Sequence, residues 1–535
     1  MKFSPLALYY VDGYKISHKR MLAPGTTRLY GTWIPRSLKH APLGVKKIVS
    51  FGQQLVWRWL HDEFEEHFFK LSEDAALQFG KDMSLYLGLE YDAMHFVDLH
   101  RLGYLPMRVK ALPEGIETDP NIPHMTFINT VDGFAWLTLY LETIVSSLAW
   151  KPTTSATIAL QYRRNLTEWV MRTDPDNAWL IPYLAHDFSA RGLSPWDMLS
   201  SGLGHATSFR GSDTLIVIPA ARYFYGEPEN EVAINSVNAS EHSVSTTKIF
   251  TVGEQQMLAD WLVEFPKGIL SVVSDTFDLW KLITEYLPAL KDDIMKRDGK
   301  LVIRPDSGDP VDIICGLNTN SKHVGDTKPY IYPFYKDCSD SYKKEYSKNQ
   351  YKGVIELLWD IFGGTINEKG FKVLDSHIGA IYGDSITLDR QLEIYQRLAD
   401  KGFAATNIVL GVGSFTYQYN TRDTCGWAAK GAWFETAQRC KDCTECNDTE
   451  WKSDCRQAYD IYKDPITDDG TKKSLKGLVA VHYADSDQVV GEYFVKQQCT
   501  FEEEEKGLLQ VIYEDGKFYN QTTLTQVREN LYHND

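Results

Sequence analysis

The chain has 535 residues, too many for one ordinary hydrophobic core, and this length indicates roughly two to four structural units. Hydrophobic residues make up 43% of the chain and charged residues 24%, so the composition is that of a globular protein and not of a disordered one. The 72 acidic and 56 basic residues give a formal net charge of −16. A surface of this charge repels nucleic acid and anionic membrane, so any phosphate site must be built locally from arginine, lysine and backbone N–H groups.

The sequence gives no sign of a targeting or membrane segment. No apolar run approaches the ~20 residues that cross a bilayer, and the N-terminal apolar stretch is too short for a signal peptide before it reaches Asp12. The eight cysteines are too sparse for a disulfide scaffold. We therefore expect a cytoplasmic protein that binds neither membrane nor nucleic acid.

The first 150 residues and the last 100 mix short strands with helices. A strand is predicted over 107–110 and a helix over 135–147. No regular alternation of strand and helix runs through either part. We expect the two parts to form a second domain that packs against the middle of the chain.

The middle of the chain repeats one unit, in which an apolar run is followed by a polar tip and an amphipathic helix. The apolar runs are 214–218, 269–273, 301–303, 380–382 and 408–410. Helices are predicted over 257–265, over 277–287, and from Leu388 to Leu398 with Thr387 as the N-cap and Gly402 at the stop. This alternation predicts a parallel α/β structure, in which chemistry lies at the C-terminal ends of the strands.

The polar tips supply candidate phosphate and metal ligands. Backbone amides in the loops at Gly383 and Gly413 can point at a phosphate without an intervening side chain. Asp275 and Asp306 lie at successive tips and could hold the magnesium ion of a pyrophosphate complex. Asp and Gly are also common in plain turns, so turn formation alone is the alternative explanation for each tip.

Two further stretches carry residue types suited to binding. Phe188 could stack on a flat heteroaromatic ring, and Arg191 could clamp a phosphate. His242 follows Glu241, whose carboxylate could orient one nitrogen of the ring. Taken singly, these residues would more often be a core phenylalanine, a surface arginine and a structural histidine.

The chain resembles the nicotinamide phosphoribosyltransferases, which are type II phosphoribosyltransferases. The likeness runs from Val11 almost to the C-terminus, and its motifs occur in the family's order: VDGYKISH, VKALPEG, WLTLYLETI, HDFSARG, GSDT, SVNASEHS, SVVSDTFD, VIRPDSGDP, GDSIT, GVGS, TRDT and YKDP. The resemblance implies an irregular α/β barrel over 151–429. It also implies a second, sandwich-like α+β domain built from 1–150 and 430–535.

The activity that the resemblance implies is transfer of the 5-phosphoribosyl group from phosphoribosyl pyrophosphate to nicotinamide. The products would be nicotinamide mononucleotide and pyrophosphate, in NAD salvage. The pyridine ring would lie between Phe188 and Tyr14 of the partner subunit, in a homodimer with shared active sites. Asp213 would accept a hydrogen bond from the carboxamide, and its charge would repel nicotinate. Arg304 would hold the pyridine and pyrophosphate region.

The resemblance also assigns residues to the sugar, the phosphates and two cofactors. Asp306 would grip the ribose hydroxyls and, with Asp275, the Mg²⁺ complex. His242 matches the family's phosphorylated histidine, through which ATP hydrolysis would tighten substrate binding and favour product. Four residues would form the cradle of the 5′-phosphate: Gly383, Asp384, Gly413 and Ser414. Arg422 and Lys430 would reach the same phosphate from the other subunit, and Arg36 resembles a further basic contact. Arg191 would hold the pyrophosphate and ribose region, with Lys463 and Lys472 near the pyrophosphate.

The sequence departs from the family at several positions. A phosphate-binding serine is here Ala428, an arginine is here Gly379, and Ser414 stands where some members have glycine. An apparent insertion at 438–457 carries cysteines spaced C-x₂-C-x₂-C-x₈-C, a pattern that could bind a structural Zn²⁺ or could be a solvated loop with reduced or oxidised thiols. These cysteines are Cys440, Cys443, Cys446 and Cys455.

Three other functions remain open from the sequence. The first is a nicotinate-specific phosphoribosyltransferase, which Asp213 disfavours. The second is a non-catalytic binding protein on the same scaffold, which the candidate residues Asp275, Arg304, Asp306 and His242 disfavour. The third is an aldolase or isomerase barrel, for which no convincing lysine or glutamate base lies at a strand tip.

Overall fold

A computed structural model describes residues 4–317, 348–383, 385–437, 456–467, 473–484 and 492–532. Two large sheets organise this part of the chain, one parallel with six strands and one antiparallel with seven. The predicted α/β class, with a curled parallel sheet and a second α+β region, is confirmed.

Every neighbouring pair of strands in the six-stranded sheet is parallel. In spatial order the strands are Ala185–Asp187, Ile408–Val412, Ile378–Tyr382, Leu301–Arg304, Leu270–Val273 and Asn238–Ala239. The four central strands are almost entirely buried, as expected for short apolar runs whose sheet is covered on both faces. Four of the five predicted apolar runs are strands of this sheet.

The two edges of the parallel sheet meet, so that it closes into a short irregular barrel. Isolated parallel bridges join Asp187 to Ser212 and Gly211 to Asn235, and Asn235 lies three residues before the edge strand Asn238–Ala239. Two backbone hydrogen bonds support the first bridge, from Asp187 N to Gly211 O and from Asp213 N to Asp187 O, both at 3.0 Å. Two more support the second, from Ser212 N to Asn235 O at 3.1 Å and from Asn235 N to Arg210 O at 2.6 Å. The strand tips therefore face one another around a single mouth.

Helices surround the barrel. The α-helices are Pro195–Ala206, Val217–Tyr225, His242–Val252, Glu254–Glu264, Leu279–Lys281, Leu287–Ala289, Lys291–Met295, Pro310–Cys315, Lys348–Phe362, Leu388–Asp400 and Ser414–Gln418. Shorter 3-10 or π turns lie at Pro175–Tyr183, Ala190–Gly192, Leu282–Tyr286, Ala405–Asn407 and Arg422–Thr424. Thr387 caps its helix as predicted, since its side chain accepts a hydrogen bond from Arg390 N.

The seven-stranded antiparallel sheet draws its strands from both ends of the chain. In spatial order they are Arg456–Asp460, Ala428–Ala437, Thr26–Ile34, Met125–Asn129, Met107–Ala111, Gln510–Glu514 and Lys517–Phe518. The accompanying helices are Ala7–Tyr9, Gly13–Ser17, His18–Met21, Gln53–Phe64, Glu65–Phe69, Asp74–Leu87, Met94–Leu102, Ala135–Tyr140, Phe501–Glu504 and Leu524–Tyr532. Two-stranded sheets pair Ile48–Val49 with Glu117–Thr118, Gly364–Ile366 with Lys372–Leu374, and Leu478–Tyr483 with Tyr493–Cys499.

The helix Glu142–Thr173 runs through both regions. Its 32 residues contribute side chains to three separate hydrophobic cores, so it fixes the barrel against the antiparallel sheet. The predicted domain boundary at residue 150 falls inside this helix. The boundary at 429/430 falls inside the strand Ala428–Ala437.

The apolar run 214–218 was expected to be a strand, and that expectation is wrong. The run leads into the helix Val217–Tyr225, in which Val217 is buried while Leu215 and Ile216, before the helix, stay exposed. The chain reaches the barrel earlier, at Gly211 and Ser212. No helix in the described ranges has both the length and the apolarity needed to cross a membrane.

Candidate active site

The barrel contains a cavity of about 410 Å³. At the C-terminal ends of the strands its wall includes Phe188, Asp213 and Arg304. At the opposite ends it includes Lys300 and Asn407. The cavity therefore extends along the barrel from the mouth formed by the polar tips towards the N-terminal side of the sheet.

An aromatic and acidic wall closes one side of this mouth. Phe188 follows the strand Ala185–Asp187, and its backbone N–H donates to Val412 O at 2.9 Å. Its ring lies 4.5 Å from the ring of His186, measured between centroids. His186 Nε2 is 3.0 Å from Oδ1 of Asp213, and Ser236 donates its hydroxyl proton to the same oxygen. These contacts leave Oδ2 of Asp213 available to a ligand beside the Phe188 ring.

Asp213 stays ionised in this setting. Burial alone would raise the pKa of its carboxyl group, but the hydrogen bonds from His186 and Ser236, the charge of His186 and the charge of Arg304 together lower it. A negative charge at this wall favours a ligand that donates an N–H. It disfavours a ligand that brings its own carboxylate.

His242 and Asp275 form a hydrogen-bonded pair at the next tips. His242 Nε2 lies 3.0 Å from Asp275 Oδ1. The other oxygen of Asp275 accepts from Asp306 N at 3.0 Å and from the Ser307 hydroxyl at 2.5 Å. The expectation that Glu241 orients His242 is wrong, because Glu241 is the exposed N-terminal flanking residue of the helix His242–Val252.

Arg304 and Asp306 follow the strand Leu301–Arg304. Arg304 donates from Nη2 to Ser240 O at 2.8 Å, while its buried Nε has no hydrogen-bond partner. A Cβ added at Gly383 would lie 2.5 Å from Asp306 Oδ1, so the carboxylate is packed against the Gly383 backbone. A larger residue at this position would displace the Asp306 carboxylate, so glycine lets the carboxylate lie against the loop.

The Gly413 loop meets the Arg191 segment. A Cβ added at Gly192 would lie 2.4 Å from the Cβ of Ser414, so these two loops touch. A Cβ added at Gly411 would lie 2.7 Å from the carbonyl carbon of Gly383, so the backbones at these two glycines are also in contact. The candidate phosphate residues Arg191, Gly383, Gly413 and Ser414 thus lie around one mouth. Asp384 lies outside the described residues.

A second group of predicted residues lies on and beside the antiparallel sheet and is not among the residues that line the cavity. Tyr14 is 65% exposed, and its pKa is raised by partial burial, Asp12 and Glu142, while nearby Arg422 opposes the rise. Lys430 Nζ is 3.3 Å from Glu142, whose other oxygen binds the ammonium of buried Lys15 at 2.6 Å.

Arg36 belongs to the same region as Arg422. Its Nε donates to Gly426 O at 3.1 Å, just after the turn Arg422–Thr424. Lys463 is exposed beyond the strand Arg456–Asp460, where its backbone N–H donates to the Ser474 hydroxyl. Lys472 and the four cysteines of the insertion, Cys440, Cys443, Cys446 and Cys455, lie outside the described residues.

Several residues of the cavity and its mouth were not assigned a role from the sequence. His186 and Ser236 hold Asp213, but the sequence showed them only as members of the motifs HDFSARG and SVNASEHS. Lys300 lines the cavity beside Gly379, where the family arginine is absent, and its Cδ would lie 3.2 Å from a Cβ at that glycine. Burial lowers the pKa of Lys300, and Asp375 opposes this. Lys300 therefore lies against Gly379, one of the positions at which the sequence was expected to depart from the family.

Comparison with known proteins identifies the family of this chain. Residues 183–517 match the family model described as the nicotinate phosphoribosyltransferase (NAPRTase) family. The chain belongs to the nicotinate phosphoribosyltransferase family. It is 37% identical to the nicotinamide phosphoribosyltransferase of Acinetobacter baylyi, over 99% of this chain and 98% of the relative. It is 31% identical to the protein of the same name from Xanthomonas campestris pv. campestris, over 80% of this chain and 79% of the relative.

Two solved structures share the fold of this chain. The crystal structure of the nicotinate-nucleotide pyrophosphorylase from Pyrococcus furiosus matches with a TM-score of 0.51 at 14% identity, covering 98% of this chain and 94% of that one. Human nicotinic acid phosphoribosyltransferase matches with the same TM-score and identity, covering 98% and 92%. At this identity the likeness supports the fold, while the sequence relatives establish the family.

Proposed function

We propose that the chain transfers the 5-phosphoribosyl group from phosphoribosyl pyrophosphate to nicotinamide, forming nicotinamide mononucleotide and pyrophosphate in NAD salvage. The observation that carries the proposal is the ionised Asp213 carboxylate, held by His186 and Ser236 in the same cavity as Phe188 and Arg304. A carboxylate at this point accepts a carboxamide N–H and repels a pyridine carboxylate. The names of the bacterial relatives support the same substrate.

The proposed reaction is a displacement at C1 of the ribose. The pyridine nitrogen forms a bond to C1 while the bond from C1 to the pyrophosphate oxygen breaks, and pyrophosphate leaves with the electron pair. The nitrogen is already a nucleophile, so the reaction needs no general base. Phe188 and Asp213 orient the ring, and the guanidinium groups of Arg304 and Arg191 stabilise the charge of the leaving group.

Magnesium would enter with the pyrophosphate. In the described ranges no cluster of three or more His, Cys, Asp or Glu side chains is arranged to hold a metal ion. Mg²⁺ commonly takes one or two carboxylates together with substrate phosphates and water. The Asp306 carboxylate would hold it together with Asp275, whose oxygens also accept hydrogen bonds from His242, Asp306 N and Ser307. When bound, the ion would neutralise charge on the departing pyrophosphate.

His242 is the proposed site of ATP coupling. With Nε2–H donating to Asp275, the lone pair of Nδ1 is the nucleophile that can take the γ-phosphoryl group. The N–P bond forms as the bond to the β-phosphate oxygen breaks, and ADP leaves. Asp275 stabilises the positive ring and joins it to the backbone of Asp306 on the same tips.

We propose that the active unit is a homodimer. The residues of this group lie on and beside the antiparallel sheet and do not line the cavity of their own subunit; they are Tyr14, Arg36, Arg422 and Lys430. Across a two-fold axis, Tyr14 of the partner subunit would cover the free face of the pyridine ring, and the basic residues would reach the 5′-phosphate. Lys430 would then exchange Glu142 for phosphate.

The activity is tested by incubating the chain with phosphoribosyl pyrophosphate, Mg²⁺ and nicotinamide, with and without ATP. We expect equal amounts of nicotinamide mononucleotide and pyrophosphate, and more product with ATP. With nicotinamide and nicotinate at equal concentration, the amide should account for nearly all product. Absence of mononucleotide, or a preference for nicotinate, would contradict the proposal.

Shared sites are tested by mixing two inactive variants. Asp306→Asn disables the barrel half of a site and Arg422→Ala disables the half supplied by the partner. A mixed dimer restores one intact site, so co-refolded variants should regain about a quarter of wild-type activity for random pairing. Activity no higher than that of either variant alone would argue against sharing.

A further inference from the structure

Tyr162 lies behind the two loops to which we assign the 5′-phosphate. It belongs to the helix Glu142–Thr173 and is 1% exposed. Its hydroxyl is 2.7 Å from the carbonyl oxygen of Ile386 and 3.2 Å from Oγ1 of Thr416. Ile386 comes three residues after Gly383, and Thr416 comes three residues after Gly413. One hydroxyl therefore contacts both loops.

Chemistry sets the direction of the shortest hydrogen bond in this group. A carbonyl oxygen can only accept, so Tyr162 donates its single proton to Ile386. The Thr416 hydroxyl lies 3.2 Å from the Tyr162 oxygen and 3.4 Å from Ile386 O, and its single proton can be donated to either oxygen. Burial raises the pKa of Tyr162, so the phenol keeps its proton at neutral pH. In each arrangement the Tyr162 oxygen lies within hydrogen-bond distance of both loops.

The position of the hydroxyl is fixed by the surrounding fold. The backbone carbonyl of Tyr162 accepts a hydrogen bond from the buried Gln391 side chain, which belongs to the helix Leu388–Asp400. The Tyr162 ring lies in the hydrophobic core of the barrel. Ser385, just before Ile386, has a φ of 62°, an uncommon conformation for a residue with a side chain. Its carbonyl accepts from Arg390 at 2.6 Å.

We propose that Tyr162 is a positioning residue for phosphoribosyl binding, because its hydroxyl sets the spacing between the loop at Gly383 and the loop at Gly413. The inference rests on the proposed function and assigns part of that same site. A phosphate held by backbone N–H groups from two loops binds well only when both loops keep their separation. The hydroxyl touches no substrate and acts through the loops alone.

The test compares Tyr162→Phe with the control Tyr395→Phe. Both tyrosines lie in the same core and are 1% exposed, but Tyr395 projects from the helix Leu388–Asp400, two turns beyond its start. Each variant of the full chain is titrated calorimetrically with ribose 5-phosphate, which carries the 5′-phosphate, and with inorganic pyrophosphate, which does not. Thermal unfolding is recorded for both.

Tyr162→Phe should weaken ribose 5-phosphate binding about three- to tenfold, the loss expected for one neutral hydrogen bond. Pyrophosphate binding should stay within about twofold, as should both ligands with Tyr395→Phe. In turnover, the KM for phosphoribosyl pyrophosphate should rise by a similar factor, while the KM for nicotinamide changes little. Thr416→Val keeps the shape of the side chain and removes the second hydroxyl, so it should show the same selective loss.

The outcomes separate this inference from the proposed function. If the wild-type chain binds ribose 5-phosphate and Tyr162→Phe binds it equally well, the inference is overturned alone. Equal weakening of both ligands would also overturn it, because that result indicates a general loss of structure. A wild-type chain that binds neither ligand and forms no mononucleotide would overturn the proposed function and this inference with it.

Discussion

Asp213→Asn removes one negative charge from the wall of the cavity and changes little else. Asparagine has the same shape, so its oxygen can still accept from His186 and Ser236. Its amide nitrogen would then occupy the position of Oδ2. The substitution replaces an acceptor that repels carboxylates with a donor that binds them. We expect the preference between nicotinamide and nicotinate to shift towards the acid.

The size of the shift follows from the charge and its exposure. Two unit charges about 4 Å apart repel by about 4 kcal/mol at the effective dielectric constant of roughly 20 that suits such sites. The Asp213 side chain is 41% exposed, so solvent and salt screen part of this. If about half of this repulsion remains after screening, it amounts to about 2 kcal/mol, which is roughly a thirtyfold effect on kcat/KM for nicotinate. Loss of the charged acceptor should also lower kcat/KM for nicotinamide about tenfold.

The assay measures kcat/KM for each pyridine at saturating phosphoribosyl pyrophosphate. The ratio of nicotinate to nicotinamide should rise by about two orders of magnitude in Asp213→Asn, and more at low than at high ionic strength. Asp260→Asn is the control, because Asp260 pairs with Lys248 on outer helices and should leave the ratio unchanged. A ratio within about threefold of wild type would refute the electrostatic explanation.

Three further predictions test other parts of the structure. Gly383→Ala would place its Cβ 2.5 Å from Asp306 Oδ1, so kcat/KM should fall by about two orders of magnitude or more, whereas Gly431→Ala, with contacts no closer than 3.7 Å, should be active in the same assay. His242→Ala should abolish the rise in product that ATP causes, and wild-type protein incubated with γ-labelled ATP should carry acid-labile phosphate that the variant lacks. Burial lowers the pKa of His124 to about 3. Below about pH 6.5 this histidine is therefore protonated in the unfolded chain but stays neutral in the folded chain. Stability should therefore decline by about 1.4 kcal/mol per pH unit between about pH 6 and 4 from this group, and His124→Asn should reduce that slope in urea unfolding at fixed protein concentration.

The barrel strands were predictable because parallel strands covered on both faces are short apolar runs with polar ends. The runs 269–273, 301–303, 380–382 and 408–410 have this form, and all four are strands. The run 214–218 has the same composition but enters a helix, since a short apolar run carries no periodicity that separates the two states. The closure of the barrel at Gly211 and Asn235 involves single bridges, which leave no pattern in a sequence.

The site was predictable in its residue types but not in its pairings. The motifs marked Asp213, His242 and Asp275, and all three lie near the barrel mouth. The sequence suggested Glu241 as the partner of His242, because neighbours in the chain are the visible candidates. The helix that begins at His242 directs the ring towards Asp275, a contact 33 residues away that depends on the tertiary fold. Contacts such as Tyr162 to Ile386 arise in the same way.

The most direct measurement is a crystal structure of the chain with nicotinamide mononucleotide. We predict the pyridine ring against Phe188, with the carboxamide nitrogen within hydrogen-bond distance of Asp213 Oδ2. The 5′-phosphate should lie between the backbone of Gly383 and that of Ser414. A mononucleotide bound elsewhere, or bound at the mouth with its ring away from Phe188 and Asp213, would contradict the account.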